Sequence, residues 1–415
     1  MAAGFRLGRL VAACAVVVSV VGGCGGGSSS TDDTAGLDGT PLKVAVFVNE
    51  SGPLPSGEEN AATVTRAWAK SVNASGGVDG RPVEIVIADT KGDAPTATSA
   101  AARIASDQSI VAGVMFDGAT EGLIGKKLTE AKLPIIGGMG YDPSLWGRAV
   151  NWLPLTTTIP SIFNMGMTLG KDVGASKVAM TICAEVAPCE AAEPVVKSAS
   201  ANLGLEYTGT YKIAAASPNF TAQCLKINDS GVDYVMLGAA TPVAALRLAG
   251  DCSKQNFDGQ WGLFGGVIVP KVMRENDPGV KLALAVNSFP WFADGKPVAD
   301  YRQMMKSQDV PEDSWGDPHG TAAYATMELF RKALDAAGDS LPPEPTRQDV
   351  IEAYGANVRD ETLDGLLAQP VTFVPGKPNK PVSCYWFGSY EGGTFSDAQL
   401  DEPQCDPASL AADSS

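Results

Sequence analysis

Residues 41–95 read PLKVAVFVNESGPLPSGEENAATVTRAWAKSVNASGGVDGRPVEIVIADTKGDAP, and the changes of pattern along them decide the fold. Lys43 to Val48 is short, apolar and β-branched, which predicts a strand, and Ser51-Gly52-Pro53 supplies the turn chemistry that stops it. From about Glu58 the apolar period becomes helical, with Ala62, Val64, Ala67, Trp68 and Val72 able to share one face. The run Asn73-Ala74-Ser75-Gly76-Gly77 ends that helix in residues that tolerate positive φ. Val83 to Ala88 is a second strand, closed by Asp89. Two buried-type strands around one helix make a βαβ unit with a right-handed crossover, in which ligands meet the loops at the carboxyl ends of the strands. Asn49 to Gly57 is therefore a rim, and Ser56 within it is a candidate ligand contact.

The same alternation runs outward from this unit. Short strands are predicted at Ile110–Met115, Leu133–Ile136, Lys177–Ile182, Tyr207–Ile213, Tyr234–Leu237, Gln260–Phe264 and Ala283–Val286. Helical stretches lie between them at Ala97–Asp107, Gly118–Ala131, Ser161–Val173, Glu190–Leu203, Phe220–Asp229 and Pro242–Asp251. This is the pattern of an α/β protein with mainly parallel sheets. About 375 residues follow position 40, too many for one ordinary core and enough for two doubly wound lobes.

Ahead of the core, Arg6 and Arg9 precede an apolar run from Leu10 to Val21 and small residues before Cys24, the layout of a secretory signal over 1–23. That run is too short for a good membrane span. Residues 24–40 are rich in Gly, Ser, Thr and Asp and read as a flexible tether. The net charge is −16, and cleavage before Cys24 would take it to −18, which argues against nucleic acid or anionic lipid as a partner.

Apart from Cys14 and Cys24, the cysteines are Cys183, Cys189, Cys224, Cys252, Cys384 and Cys405, and six allow fifteen pairings. Proximity favours 183–189, 224–252 and 384–405, and loops of these sizes would give roughly 2–4 kcal/mol each in an oxidising compartment. With His319 the only histidine and no paired Cys-x-x-Cys, a metal site is not expected.

Ser51-Gly52-Pro53, Asn73 with Gly76-Gly77 and Gly80-Arg81, then Asp89 and the Asp93-Ala94-Pro95 turn, resemble in order and spacing the type I periplasmic binding proteins. The branch they resemble is the branched-chain amino-acid and amide receptors of ABC importers, over roughly residues 41–400. Val21-Gly22-Gly23-Cys24 likewise resembles a bacterial lipobox, which would make Cys24 the lipidated amino terminus on the outer face of the cytoplasmic membrane. The resemblance implies two parallel-sheet lobes joined by three hinge strands near Leu155–Ile159, Ser288–Trp291 and Gln369–Thr372. Lobe one would hold 41–156 and 289–368, and lobe two 157–288 and 369–405, with 406–415 a disordered tail. Thr321 to Ala337 resembles the long helix that returns to lobe one.

The implied function is a monomeric solute-binding lipoprotein that closes over a small polar molecule and delivers it to the permease of an ABC importer, or alternatively a ligand-sensing receptor that presents its closed form to a signalling partner. Positions matching the family's ligand loops are Phe116 to Thr120, including Asp117, Gly118 and Thr120, and Met139-Gly140-Tyr141. Asp117 stands where relatives carry serine, which disfavours an α-amino carboxylate and favours a donor group on the ligand; its alternative role is a helix cap. On the far wall Glu185, Thr241 and Phe264 are candidates, with Thr241 equally a helix start. Trp291 could stack on the ligand with Tyr141, or pack the hinge with Phe289 and Phe292. No nucleophile elbow, phosphate loop or dinucleotide fingerprint is present, so neither catalysis nor a cofactor is expected.

Overall fold

The computed structural model describes residues 37, 39–52, 57–184, 192–239 and 241–405. The expectations for the signal, Cys24, Ser56, Glu185, Cys189 and the tail lie outside the described residues. Among those described, no helix is long and apolar enough to cross a membrane.

The opening stretch folds as its pattern dictates. β1 (Leu42–Val48), α1 (Glu59–Ala74) and β2 (Val83–Asp89) form the first βαβ unit, followed by α2 (Ala94–Ser106), β3 (Ile110–Met115), α3 (Glu121–Glu130) and β4 (Ile135–Gly138). The sheet order is β2-β1-β3-β4, all parallel, with Val46 facing Ile87 on one side and Val114 on the other. Asp93 caps α2 by accepting from the Thr96 N–H at 3.0 Å, and Pro95 fits the first turn, where its missing N–H costs nothing.

After α4 (Pro143–Arg148) and α5 (Ile159–Asp172), a second sheet is wound from β5 (Lys177–Cys183), α6 (Ala192–Leu203), β6 (Glu206–Ile213), α7 (Thr221–Asp229), β7 (Tyr234–Leu237), α8 (Pro242–Ser253), β8 (Gln260–Phe264), α9 (Pro270–Glu275) and β9 (Leu282–Val286). Its parallel order is β6-β5-β7-β8-β9. Each sheet reverses direction beside its first strand, between β1 and β3 and between β5 and β7. Crevices at the carboxyl ends of strands open at such reversals.

The chain then returns to the first sheet through α10 (Lys296–Ser307), α11 (Pro318–Ala337) and α12 (Arg347–Asn357). Trp68 on α1 donates its indole N–H to Glu328 on α11 at 2.6 Å, and the buried Arg347 guanidinium reaches the Ile110 carbonyl of β3 at 3.1 Å. Finally β10 (Cys384–Glu391) pairs antiparallel with β9, and β11 (Thr394–Ser396) and β12 (Gln404–Cys405) pair with β10. Disulfides join Cys224 to Cys252, stapling α7 to α8, and Cys384 to Cys405, stapling β12 to β10.

Three stretches of chain run between the two sheets: one before α5, one after β9 and one before β10. The first and third are paired directly, Val382 N–H donating to the Thr156 carbonyl at 2.8 Å. Asn379 adds a side-chain bond to the Trp152 carbonyl at 2.6 Å.

Candidate functional site

β4 approaches β3 so closely at its end that a Cβ on Gly138 would sit 2.2 Å from the Met115 carbonyl oxygen, at a φ of +152°. Only glycine fits there. The turn sends residues 139–142 out over the first sheet, and three tethers hold them. Thr156 Oγ1 donates to the Met139 carbonyl at 3.0 Å, and Trp146 Nε1 donates to the Gly140 carbonyl at 2.8 Å. Glu121, the first residue of α3 and only 1% exposed, turns its carboxylate back to accept from the Gly140 N–H at 3.0 Å and from the Asp142 N–H. Burial pushes this carboxyl up to about 7, against the pull of backbone donors from Asp142, Gly140 and Tyr141.

Held this way, Tyr141 leaves its own sheet and packs on the apolar cluster of Ile162, Met165, Leu169 and Ala285 that belongs to α5 and β9. A Cβ on Gly266, just past β8, would lie 3.9 Å from its hydroxyl. Burial, with the nearby charges of Glu121 and Glu58, pushes the phenol well above its ordinary range, so it serves as a neutral hydroxyl.

α11 supplies the next wall. Asp317 caps it, accepting from the His319 N–H at 2.9 Å and the Gly320 N–H at 3.3 Å, while Pro318 occupies the first turn. The same carboxylate oxygen meets His319 Nδ1 at 3.1 Å, with both side chains buried. Desolvation alone would lower the imidazole, but the charge and hydrogen bond of Asp317, joined by Glu58 and Glu59, outweigh it and raise its pKa above the ordinary value. Asp317 Oδ2 has no hydrogen-bond partner among the described residues.

These walls enclose a cavity of about 690 Å³, its open mouth included. Phe116, Met139 and Tyr141 come from the first sheet's loops, Ile162 and Gly266 from the second sheet's side, and His319, Ala322 and Ala325 from α11. The three connecting stretches add Leu155 and Thr156, Asn287 and Ser288, and Leu366 to Ala368 with Val382, and Trp386 comes from β10. The Ser288 hydroxyl donates to Thr321 Oγ1 at 2.7 Å, which leaves its oxygen as an acceptor.

Of the residues expected at the site, Met139 and Tyr141 line the cavity together. Gly140 shapes their loop at a φ of +75°. Gly118 lies beneath the Tyr141 ring, where a Cβ would come within 2.8 Å of it.

Asp117 does not face the cavity, which corrects the expectation of a donor-bearing ligand at this carboxylate. It is fully buried and spent on its own turn, accepting from the Ala119 N–H at 3.0 Å and from Thr120 Oγ1 at 2.6 Å. Thr120 is consumed by the same contact. Thr241 caps α8, accepting from the Ala244 N–H at 3.3 Å. Phe264 packs on Phe163 with ring centroids 6.0 Å apart, and it is the neighbouring Gly266 that reaches the cavity. Trp291 is wedged against Phe292 and Phe395, each at 4.9 Å, and takes the packing role rather than a ligand face.

Sequence reasoning passed over His319, Asn287, Ser288 and Trp386. The only signal was at His319, a lone histidine after Asp317-Pro318 at a helix start. It becomes informative once α11 is known to close the cavity.

A family model described as periplasmic binding protein matches residues 41–394 of the chain. No curated protein matches. Among solved structures, a fatty acid ABC transporter substrate-binding protein from Thermomonospora curvata superposes with a TM-score of 0.68 at 19% identity, covering 88% of this chain and 93% of that one. A solute binding protein of an ABC transporter from Rhodopseudomonas palustris HaA2, in complex with p-hydroxybenzoic acid, gives 0.70 at 16% identity over 90% and 100% of the two chains. A leucine binding protein from Thermotoga maritima MSB8 gives 0.65 at 15% identity over 88% and 99%. At these identities the likeness is one of fold.

Proposed function

This chain belongs to the periplasmic binding protein family, and from that premise we propose that it captures a small molecule in the cavity between its two sheets and delivers it to the permease of an ABC importer. The observation that carries this reading is the composition of the cavity wall, drawn from the loops of both sheets and from all three connecting stretches. Any rotation of one sheet against the other opens or shuts such a cavity, so a ligand that prefers the shut form drives closure by the difference in its affinity for the two. Tyr141 is the group that reaches across.

In this proposal residues 41–156 and 289–368 form one lobe and 157–288 and 369–405 the other. The chain acts as a monomer, exported and anchored through a lipid on Cys24. The solved relatives are named for a fatty acid, p-hydroxybenzoic acid and leucine, so membership of the fold leaves the ligand to the cavity itself.

A thermal-shift screen of small carboxylic acids, amides, amino acids and polyamines tests the reading. A ligand is expected to raise the melting temperature without being converted to product. Stabilisation by no compound, or turnover of one, would count against it. Tyr141→Ala is expected to weaken the best hit at least about tenfold in calorimetric titration, roughly 1.4 kcal/mol, through loss of the bridging contact. Equal affinity in that variant would remove Tyr141 from the site.

A further inference from the structure

Among the described residues the cavity wall contains no Asp, Glu, Lys or Arg side chain. Its body is apolar, formed by Leu155, Ile162, Leu366, Leu367, Val382 and Trp386. The polar atoms gather on a few residues: the Tyr141 hydroxyl, the Asn287 amide, the Ser288 hydroxyl and His319. His319 is the most constrained of these, because Asp317 engages Nδ1 at 3.1 Å and leaves Nε2 as the remaining polar atom of the ring.

A zwitterionic amino acid needs two opposite partners in such a space, donors for its carboxylate and an anion for its ammonium. Burying an ammonium with no partner costs several kcal/mol. The carboxylates near the opening of α3 are committed to backbone donors and do not line the wall: Asp117 to three hydrogen bonds of its own turn, Glu121 to the Gly140 and Asp142 N–H groups, and Glu58 to the Gly118 N–H. A doubly charged polyamine fails for the same reason. What fits is a body without charge and an end that accepts hydrogen bonds.

We infer that the cavity selects a compact, mainly apolar molecule ending in an oxygen acceptor, a carboxylate or an amide carbonyl, with His319 Nε2–H as the principal donor and Asn287 and Tyr141 beside it. The apolar wall takes the hydrocarbon or ring, and removing that surface from water supplies the affinity. Asp317 on Nδ1 fixes the orientation of the ring, so specificity rests on hydrogen-bond geometry. The charge and hydrogen bond of Asp317 raise the basicity of the ring, which favours the doubly protonated form whose Nε2–H can donate. This inference rests on the proposed binding role of the cavity.

Calorimetric titration of the full protein with hexanoate, benzoate, hexanamide and benzamide, against leucine, glutamine and putrescine, tests it. At least one member of the first set is expected to bind at least a hundredfold more tightly than every member of the second. His319→Gln should weaken that ligand at least tenfold, and Ala322→Phe, which adds a ring to the wall and leaves His319 in place, should abolish binding. Circular-dichroism melts verify that each variant is folded. Tighter binding of leucine, glutamine or putrescine would overturn the ligand class and leave the binding role intact. Absence of heat from all seven compounds at millimolar concentration would overturn both. Undiminished affinity in folded His319→Gln, or in folded Ala322→Phe, would remove the proposed anchor or the proposed cavity.

Discussion

Arg347→Met is expected to lower the unfolding free energy by about 3–5 kcal/mol, because one buried guanidinium donates to five backbone carbonyls at once. It donates to Asp107 at 2.7 Å, Ala131 at 3.0 Å, Ile110 and Ala105 at 3.1 Å, and Ile104 at 3.4 Å. Three of these oxygens, those of Ile104, Ala105 and Ala131, lie at the C-terminal ends of α2 and α3, where helices leave carbonyls unpaired and the macrodipole favours a cation. Asp107 is the C-cap of α2, and Ile110 opens β3. Methionine fills much of the same volume but donates to none of these oxygens, of which those of Ile104 and Asp107 keep, among the described residues, only their bonds from the Asp107 and Ile110 N–H groups. Lysine is not expected to rescue, since a point charge with three donors cannot span the same fan. Denaturant titration of the three proteins decides it, and a midpoint unchanged by methionine would show that water replaces the guanidinium.

Glu121 should make stability fall as pH rises through the acid range, opposite to the usual behaviour of a paired carboxylate. Its carboxyl stands at about 7 in the folded protein against an ordinary 4.5, so the folded form holds the proton more tightly than the unfolded chain. The associated stability is fully present below 4.5 and is lost as pH climbs to about 7, a change of about 3 kcal/mol. Glu121→Gln removes that slope. The amide introduced by this substitution also presents an N–H to one of the two loop donors that Glu121 now accepts, which should loosen residues 140–142 and weaken ligand binding. Unfolding free energies of the two proteins at pH 5 and pH 7.5 isolate the effect. A difference between them that stays constant across those conditions would mean that Glu121 titrates normally.

The sequence made the α/β winding legible because each parallel strand is a short apolar run between helices of clear period, as at Lys43–Val48 and Ile110–Met115. It was less informative where the chain returns. α12 buries Arg347 beside Val350, Ala353 and Tyr354 and carries half-buried Asp349, so the contrast between its faces is weak. β10, reading CYWFGSYE, is aromatic and antiparallel and does not repeat the earlier rhythm.

The site was legible where a loop follows directly from its strand, as Met139 and Tyr141 follow β4. It was not legible at Asp117, where a short-range carboxylate-to-turn contact competes with a ligand and the local partner, Thr120, lies three residues away. Nor could pattern place His319 opposite Tyr141, since that meeting depends on α11 packing back against α1 after nearly the whole chain has been wound.

Two of the three connecting stretches are fastened to one another, by the Val382–Thr156 bond and by Asn379 to Trp152. They must therefore travel as a single ribbon. Sliding one sheet past the other would strip these bonds, whereas swinging about the ribbon keeps them, so the closure proposed above is expected to be that of a door on its jamb.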